Sequence, residues 1–312
     1  MEFENVDAVR RRLEEADYIC SPEAATVVFL AEATGKPVLV EGPAGVGKTE
    51  LAKAVAKCLN RELIRLQCYE GLDEAKALYE WEYAKQLLYT QMVKDKISEI
   101  ISDADSLEEA VDRIACQEDA FFSERFIQPR PLLAALTSLK PVVLLIDEVD
   151  KSDPEFEAFL LEILSDFQVS IPELGTKKAV HVPFVVLTSN NYRDMSDALK
   201  RRCIHLYLDY PDRELERRIV ALKHPGIGDR LTDQLVDSVR AIRDLDLKKK
   251  PCISETLDWA RSLVVLQVEE LSPAMVQETL SVLVKYRSDS HKVRENIKKV
   301  ADKAGLTWTA SS

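Results

Sequence analysis

Five short apolar runs punctuate the first two thirds of the chain: Pro37–Val40, Leu63–Cys68, Pro141–Ile146, Phe184–Leu187 and Ile204–Leu208. Continuous apolar runs of four to six residues suit strands buried on both faces, whereas a half-exposed strand alternates apolar with polar. Helical stretches separate the runs. Strand and helix in alternation predict a parallel sheet with right-handed crossovers, a doubly wound α/β domain over residues 1–211. At its start VDAVRRRLEEA is amphipathic, and Ser21-Pro22-Glu23 reads as an N-cap with proline at the first helical position.

Two segments break the alternation. The first, about 72–127, is expected to be a mostly helical insertion, as in DEAKALYEWEYAKQLLYTQMVKDKISEI. Its Tyr79, Trp81, Tyr83 and Tyr89 either bury the insertion against the domain or form an exposed aromatic surface. The second, VSIPELGTKKAVHV at 169–182, carries two alternating runs around a Pro-Glu-Leu-Gly turn and reads as a β-hairpin. Beyond Pro211 the strand pattern stops. PDRELERRIVALK, LTDQLVDSVRAIRDL, SETLDWARSLVVLQ and PAMVQETLSVLVKYR predict four helices, an all-α lid domain over 212–295, with a frayed tail from Asn296.

Composition narrows the functional classes. A formal charge of −12 over 312 residues disfavours an electrostatic grip on nucleic acid. The six cysteines, at 20, 58, 68, 116, 203 and 252, form no CxxC or Cys/His spacing, so a zinc site is not expected and free thiols are. No apolar run approaches the roughly 18 residues of a membrane span, and the expected location is cytoplasmic.

The strongest chemical signal is PVLVEGPAGVGKTE. Residues 42–49 fit G-x-x-x-x-G-K-[ST] in full, directly after a predicted strand and before a predicted helix. In the loop Gly42, Pro43, Ala44, Gly45, Val46 and Gly47, the glycines let backbone amides curl around a phosphate chain. Lys48 would reach the β- and γ-phosphates, Thr49 would coordinate Mg²⁺, and Glu50 opens the helix whose N-terminus favours the anion. In VVLLIDEVD a strand delivers Asp147 and Glu148 to the same sheet edge, Asp147 for the Mg²⁺ shell and Glu148 to polarise the attacking water. Asp150 and Asp153 are expected to cap the helix starting at Pro154. FVVLTSNN brings Asn190 to that edge, where an amide would bond both γ-phosphate and water.

Strand–GPAGVGKT–helix, then LLIDE, LTSN and ALKRRC, then an all-helical region, together resemble an AAA+ ATPase over roughly residues 20–285. The hairpin at 169–182 resembles the pre-sensor hairpin of one AAA+ branch. Within that branch, LQCYEGLDEAKALYEWEYAKQLL, FLLEILSDFQVSIPELGT and SETLDWARSL are similar to CoxD-like members of the MoxR family.

The resemblance implies ATP with Mg²⁺, and a homo-oligomeric ring, expected to be a hexamer. Arg202, or less favourably Arg201, would then point at the neighbouring subunit's γ-phosphate. It also implies a von Willebrand factor A domain partner and a client metalloenzyme of the molybdenum–copper, carbon monoxide dehydrogenase type, with no nucleic acid and no integral membrane segment. One position departs from the pattern: where related lid domains carry a phosphate-facing arginine, this chain has Ser254 or Glu255, and Arg261 lies about two turns beyond. That departure keeps open a nucleotide-gated adaptor in which slow hydrolysis is only a timer.

Overall fold

The computed structural model describes residues 2–92, 106, 124–171 and 175–307. In chain order the α/β part comprises α1 (Val6–Glu15), α2 (Pro22–Thr34), β1 (Val38–Glu41), α3 (Lys48–Cys58), β2 (Glu62–Gln67), α4 (Glu74–Leu78), β3 (Tyr79–Trp81), α5 (Tyr83–Met92), β4 (Ile127–Pro129), α6 (Pro131–Thr137), β5 (Val142–Asp147), α7 (Pro154–Asp166), β6 (Gln168–Ile171), β7 (Gly175–Lys178), β8 (Phe184–Ser189), α8 (Asp197–Arg202) and β9 (Ile204–Tyr207).

All five predicted strands form one parallel sheet in the order β2-β5-β8-β1-β9. The strands feed two cores, because successive side chains face opposite sides. Val143, Leu145, Val186, Val38 and Val40 pack with α1, α2 and α3, while Leu144, Ile146, Val185 and Leu187 pack with α4, α6 and α7. Burial on both faces is why β5 and β8 read as unbroken apolar runs. The edge strands are the exceptions: in β2 only Leu66 is fully buried, with Arg65 and Gln67 exposed, and in β9 only Leu206 is.

Ser21 Oγ accepts from the Ala24 amide and Pro22 opens α2, as the sequence predicts. The described part of the insertion carries the helices α4 and α5 and adds a strand pair to the helical reading. Tyr79–Trp81 pairs antiparallel with Ile127–Pro129, and this ribbon ties the two ends of the insertion together. Trp81 and Tyr89 meet the Phe126 ring, Tyr79 and Trp81 pack against the domain core, and Tyr83 is 74% exposed. The stretch 93–123 lies outside the described residues apart from Ser106. The hairpin forms, with Gln168↔Lys178 through Ile171↔Gly175 in register, while its turn at 172–174 lies outside them too.

After Pro211 come α9 (Arg213–Lys223), α10 (Asp229–Arg243), α11 (Ile253–Val265), α12 (Pro273–Leu283), α13 (Arg287–Glu295) and α14 (Ile297–Lys303). They enclose a separate core around Trp259, Leu235, Leu263 and Leu280. The expected fraying from Asn296 does not occur over Ile297–Lys303, where Ile297, Val300 and Ala301 are buried in that core, and residues 308–312 of that tail lie outside the described residues. No helix among the described residues is long and apolar enough to cross a membrane.

Candidate functional site

The site is assembled at the carboxyl ends of β1, β5 and β8, with β2 alongside. Gly42, Gly45 and Gly47 all have positive φ, at 148°, 77° and 101°. Gly42 and Gly45 also lack room for a side chain. A Cβ on Gly42 would lie 1.9 Å from the Leu208 carbonyl oxygen, and one on Gly45 would lie 2.1 Å from Cys252 Sγ. Glycine is required twice over, for conformation and for space. Lys48, the first residue of α3, is buried and donates to the carbonyls of Gly42 and Pro43 at 2.8 and 2.7 Å. Burial lowers the pKa of its ammonium, against the opposing pull of Asp150, Asp147 and Glu148.

Asp147 ends β5 and is 2% exposed. Its Oδ1 accepts from the Thr49 hydroxyl at 3.0 Å and from the Thr188 hydroxyl at 2.5 Å; its Oδ2 accepts from Arg65 Nη2 at 2.5 Å. Glu148 follows in the left-handed region (φ 57°), a conformation costly for a non-glycine residue and typical of functional sites. Its amide donates to Thr188 Oγ1 at 2.9 Å, which fixes the backbone. Its carboxylate accepts from Asn190 Nδ2 at 3.1 Å, Gln67 Nε2 at 2.9 Å and Lys151 Nζ at 2.6 Å.

Asp150 departs from its expected role. It caps no helix: it is buried, and its Oδ2 accepts from the amides of Asn190 and Tyr192 at 2.9 and 2.8 Å. The carboxylate thus clamps the turn after β8 to the turn after β5. Asp153 does occupy the N-cap position of α7 but makes no capping bond with its side chain, which accepts from the Gly71 amide instead. Arg65, Gln67 and Thr188 also escaped selection as site residues. Polar side chains at the end of an otherwise apolar strand were the available signal, in LIRLQ and in VVLTS.

Arg201 and Arg202 end α8, both exposed, and neither side chain has a hydrogen bond or ion pair among the described residues. The start of α11 abuts the phosphate loop: Ser254 Oγ lies 3.5 Å from the Gly45 carbonyl oxygen. The face that α11 turns to Gly45 thus carries Cys252 and Ser254, and Arg261 is exposed farther along the helix. A cavity of about 320 Å³ lies beside the loop, lined by Tyr18, Ile19, Cys20, Gly47, Tyr210 and Ile253 among others. Burial pushes the Tyr18 phenol well above its ordinary range, with Cys20 and Glu50 adding to the shift.

These residues fit a magnesium nucleotide. The loop has no room for side chains at Gly42 and Gly45, a lysine emerges from its end, and a threonine hydroxyl sits beside a buried carboxylate. That hard-oxygen pair is the donor set Mg²⁺ takes alongside phosphate oxygens. Bound there, the metal neutralises phosphate charge.

A phosphate loop between parallel strand and helix, two carboxylates ending a neighbouring strand and an amide ending a third define a P-loop nucleoside triphosphatase. The chain belongs to the AAA domain family, dynein-related subfamily, whose profile matches residues 37–203, just over half of its length. It is accordingly an ATP hydrolase that uses ATP with Mg²⁺.

Solved structures similar to it include the Thermotoga maritima RuvB Holliday junction branch migration motor, at 18% identity and a TM-score of 0.47, over 96% of this chain and 82% of that one. A proline-to-glycine variant of the same RuvB aligns at 18% identity and a TM-score of 0.49, over 98% and 84%. No curated protein matches the sequence.

Proposed function

We propose that the chain is a ring-forming ATPase of the MoxR type, similar to CoxD-like members, whose hydrolysis is completed by an arginine from the adjacent copy. The carrying observation is that Arg201 and Arg202 are exposed and, among the described residues, unpaired, while the lid places Ser254 against Gly45. AAA+ ATPases typically form oligomeric rings, and in a ring Arg202 would supply the missing positive charge in trans. Within one copy, Gly42 to Thr49 would hold the phosphates, Thr49 and Asp147 the metal, and the cavity beside Tyr18 the nucleoside. Glu148 would take the proton of the attacking water, with Asn190 orienting both.

Residues 1–211 would then be the hydrolysing domain and the helices from 212 a lid. The resemblance in the insertion and hairpin segments supports remodelling of a client, a metalloenzyme of the molybdenum–copper type, with a von Willebrand factor A domain partner in the cytoplasm.

Mixing two inactive variants tests the ring. Arg202→Ala lacks the trans cation and Glu148→Gln lacks the base, so a mixed ring places an intact Glu148 beside an intact Arg202. Activity should reappear on mixing. If both variants assemble and the mixture stays inactive, the trans arginine is wrong. Capture of partners by the Glu148→Gln form in ATP tests the client.

One observation favours a second reading, a nucleotide-gated adaptor: Ser254 rather than a cation meets Gly45. Equal turnover of wild type and Glu148→Gln would select it.

A further inference from the structure

We propose that Arg65 competes with the divalent cation for the Asp147 carboxylate, so that this ion pair sets how much Mg²⁺ the site requires. The inference rests on reading Asp147 as a metal-shell residue. The pair is lopsided: the Asp147 side chain is 3% exposed and that of Arg65 is 49% exposed. Asp147 ends a strand hydrogen-bonded on both sides and cannot leave, and a buried carboxylate needs a counter-charge. Arg65 stands on the edge strand and can swing into water, where a partly exposed ion pair costs little to break. A guanidinium and a metal ion both draw on the one negative charge of the Asp147 carboxylate, and their like charges repel each other across it.

The oxygens of Asp147 divide accordingly. Oδ1 serves two hydroxyls, which tolerate a cation alongside, and Oδ2 is held by Arg65. Arg65 Nη2 also reaches Gln67 Oε1, and the Gln67 amide donates to Glu148. Displacing Arg65 therefore reaches the second carboxylate through two hydrogen bonds. The device would hold Glu148 in place until the metal arrives.

A fluorescent ADP analogue, which has no γ-phosphate to hydrolyse, separates binding from turnover. Its binding to the full chain is titrated against Mg²⁺ for wild type, Arg65→Gln, Arg65→Lys and Asp147→Asn. Arg65→Gln should lower the half-saturating Mg²⁺ about three- to fivefold, the upper scale of a partly exposed pair. Arg65→Lys keeps the charge without the fork and should shift it in the same direction by about twofold.

An unchanged or higher Mg²⁺ requirement in Arg65→Gln, with Asp147→Asn abolishing the dependence, overturns the competition and leaves Asp147 as read. A dependence that survives in Asp147→Asn overturns the reading of Asp147 and the competition with it. Should Arg65→Gln fail to fold, Arg65→Lys decides, and no downward shift in it overturns the proposal.

Discussion

The side-chain amide of Asn190 donates to Oε1 of Glu148 at 3.1 Å, joining the residues that follow two neighbouring strands of the sheet. Two further donors, Gln67 and Lys151, hold the other oxygen. A glutamine at 148 keeps the shape and one acceptor oxygen but removes the base. Glu148→Gln should lower kcat about 10²- to 10⁴-fold, the usual contribution of a general base, with nucleotide affinity preserved. Single-turnover hydrolysis beside equilibrium binding checks both halves.

Asp150 holds the position of Asn190 through the backbone amides of the turn after β8. Alanine there would strand two backbone amides, at about 1–3 kcal/mol for each buried donor left unpaired. Asp150→Ala should lower both thermal stability and kcat with little change in KM. Asp150→Asn, which keeps a carbonyl oxygen, should retain most of the stability. Equal loss in the two variants would show that the charge, not the acceptor, matters.

Much of this site is legible in the sequence. The glycines at 42, 45 and 47 and the DE pair after VVLLI state their chemistry through local context, since each depends on one strand and one turn. Arg65, Gln67 and Asp150 are different. Their roles depend on β2 lying beside β5 and on the β8 turn crossing Asp150, neighbourhoods that spacing along the chain does not encode. Asp150 three residues before Asp153 looks like capping chemistry until the fold supplies two better donors. The same limit hid β3 and β4, two three-residue strands 45 residues apart that stabilise each other only as a pair.

Gly45 sits beneath the start of α11, so it reads both the phosphate loop and the lid. Its φ of 77° strains any other residue, and an added Cβ would collide with Cys252 Sγ. Gly45→Ala should abolish detectable nucleotide binding. Adding Cys252→Gly removes the collision but not the strain, so affinity should recover only in part. Full recovery, measured by calorimetry, would make the lid contact the whole cause.

Arg243 and Glu216 form a buried bidentate pair at 2.6 and 2.7 Å, and Thr256 and the Pro251 carbonyl complete the network where α9, α10 and α11 meet. The guanidinium also lies 5.2 Å from the centre of the Tyr210 ring, in the segment joining sheet to helices. Arg243→Met leaves a buried carboxylate alone and should cost about 3–5 kcal/mol, whereas Glu216→Leu combined with Arg243→Met should cost much less. Chemical denaturation of the single and double variants measures the coupling.

Asp289, the third residue of α13, accepts from the amides of Lys248 and Lys249 at 3.0 and 3.1 Å and so pins the loop before α11. Burial alone would raise its carboxyl pKa. The two amides, helped by Ser288 and Lys292, outweigh burial and hold it below the usual carboxylate range. A depressed folded-state pKa stabilises at pH values above the unfolded value of about 3.9. That contribution shrinks as pH falls below the unfolded value and is gone once it has passed through the folded one. Wild type should therefore be more stable than Asp289→Asn at pH 6, with the gap narrowing as pH falls from about 4.5 towards 3. Thermal unfolding of both proteins across that range checks the sign, and a gap that widens on acidification would mean the amides bind the neutral carboxyl better than the charged one.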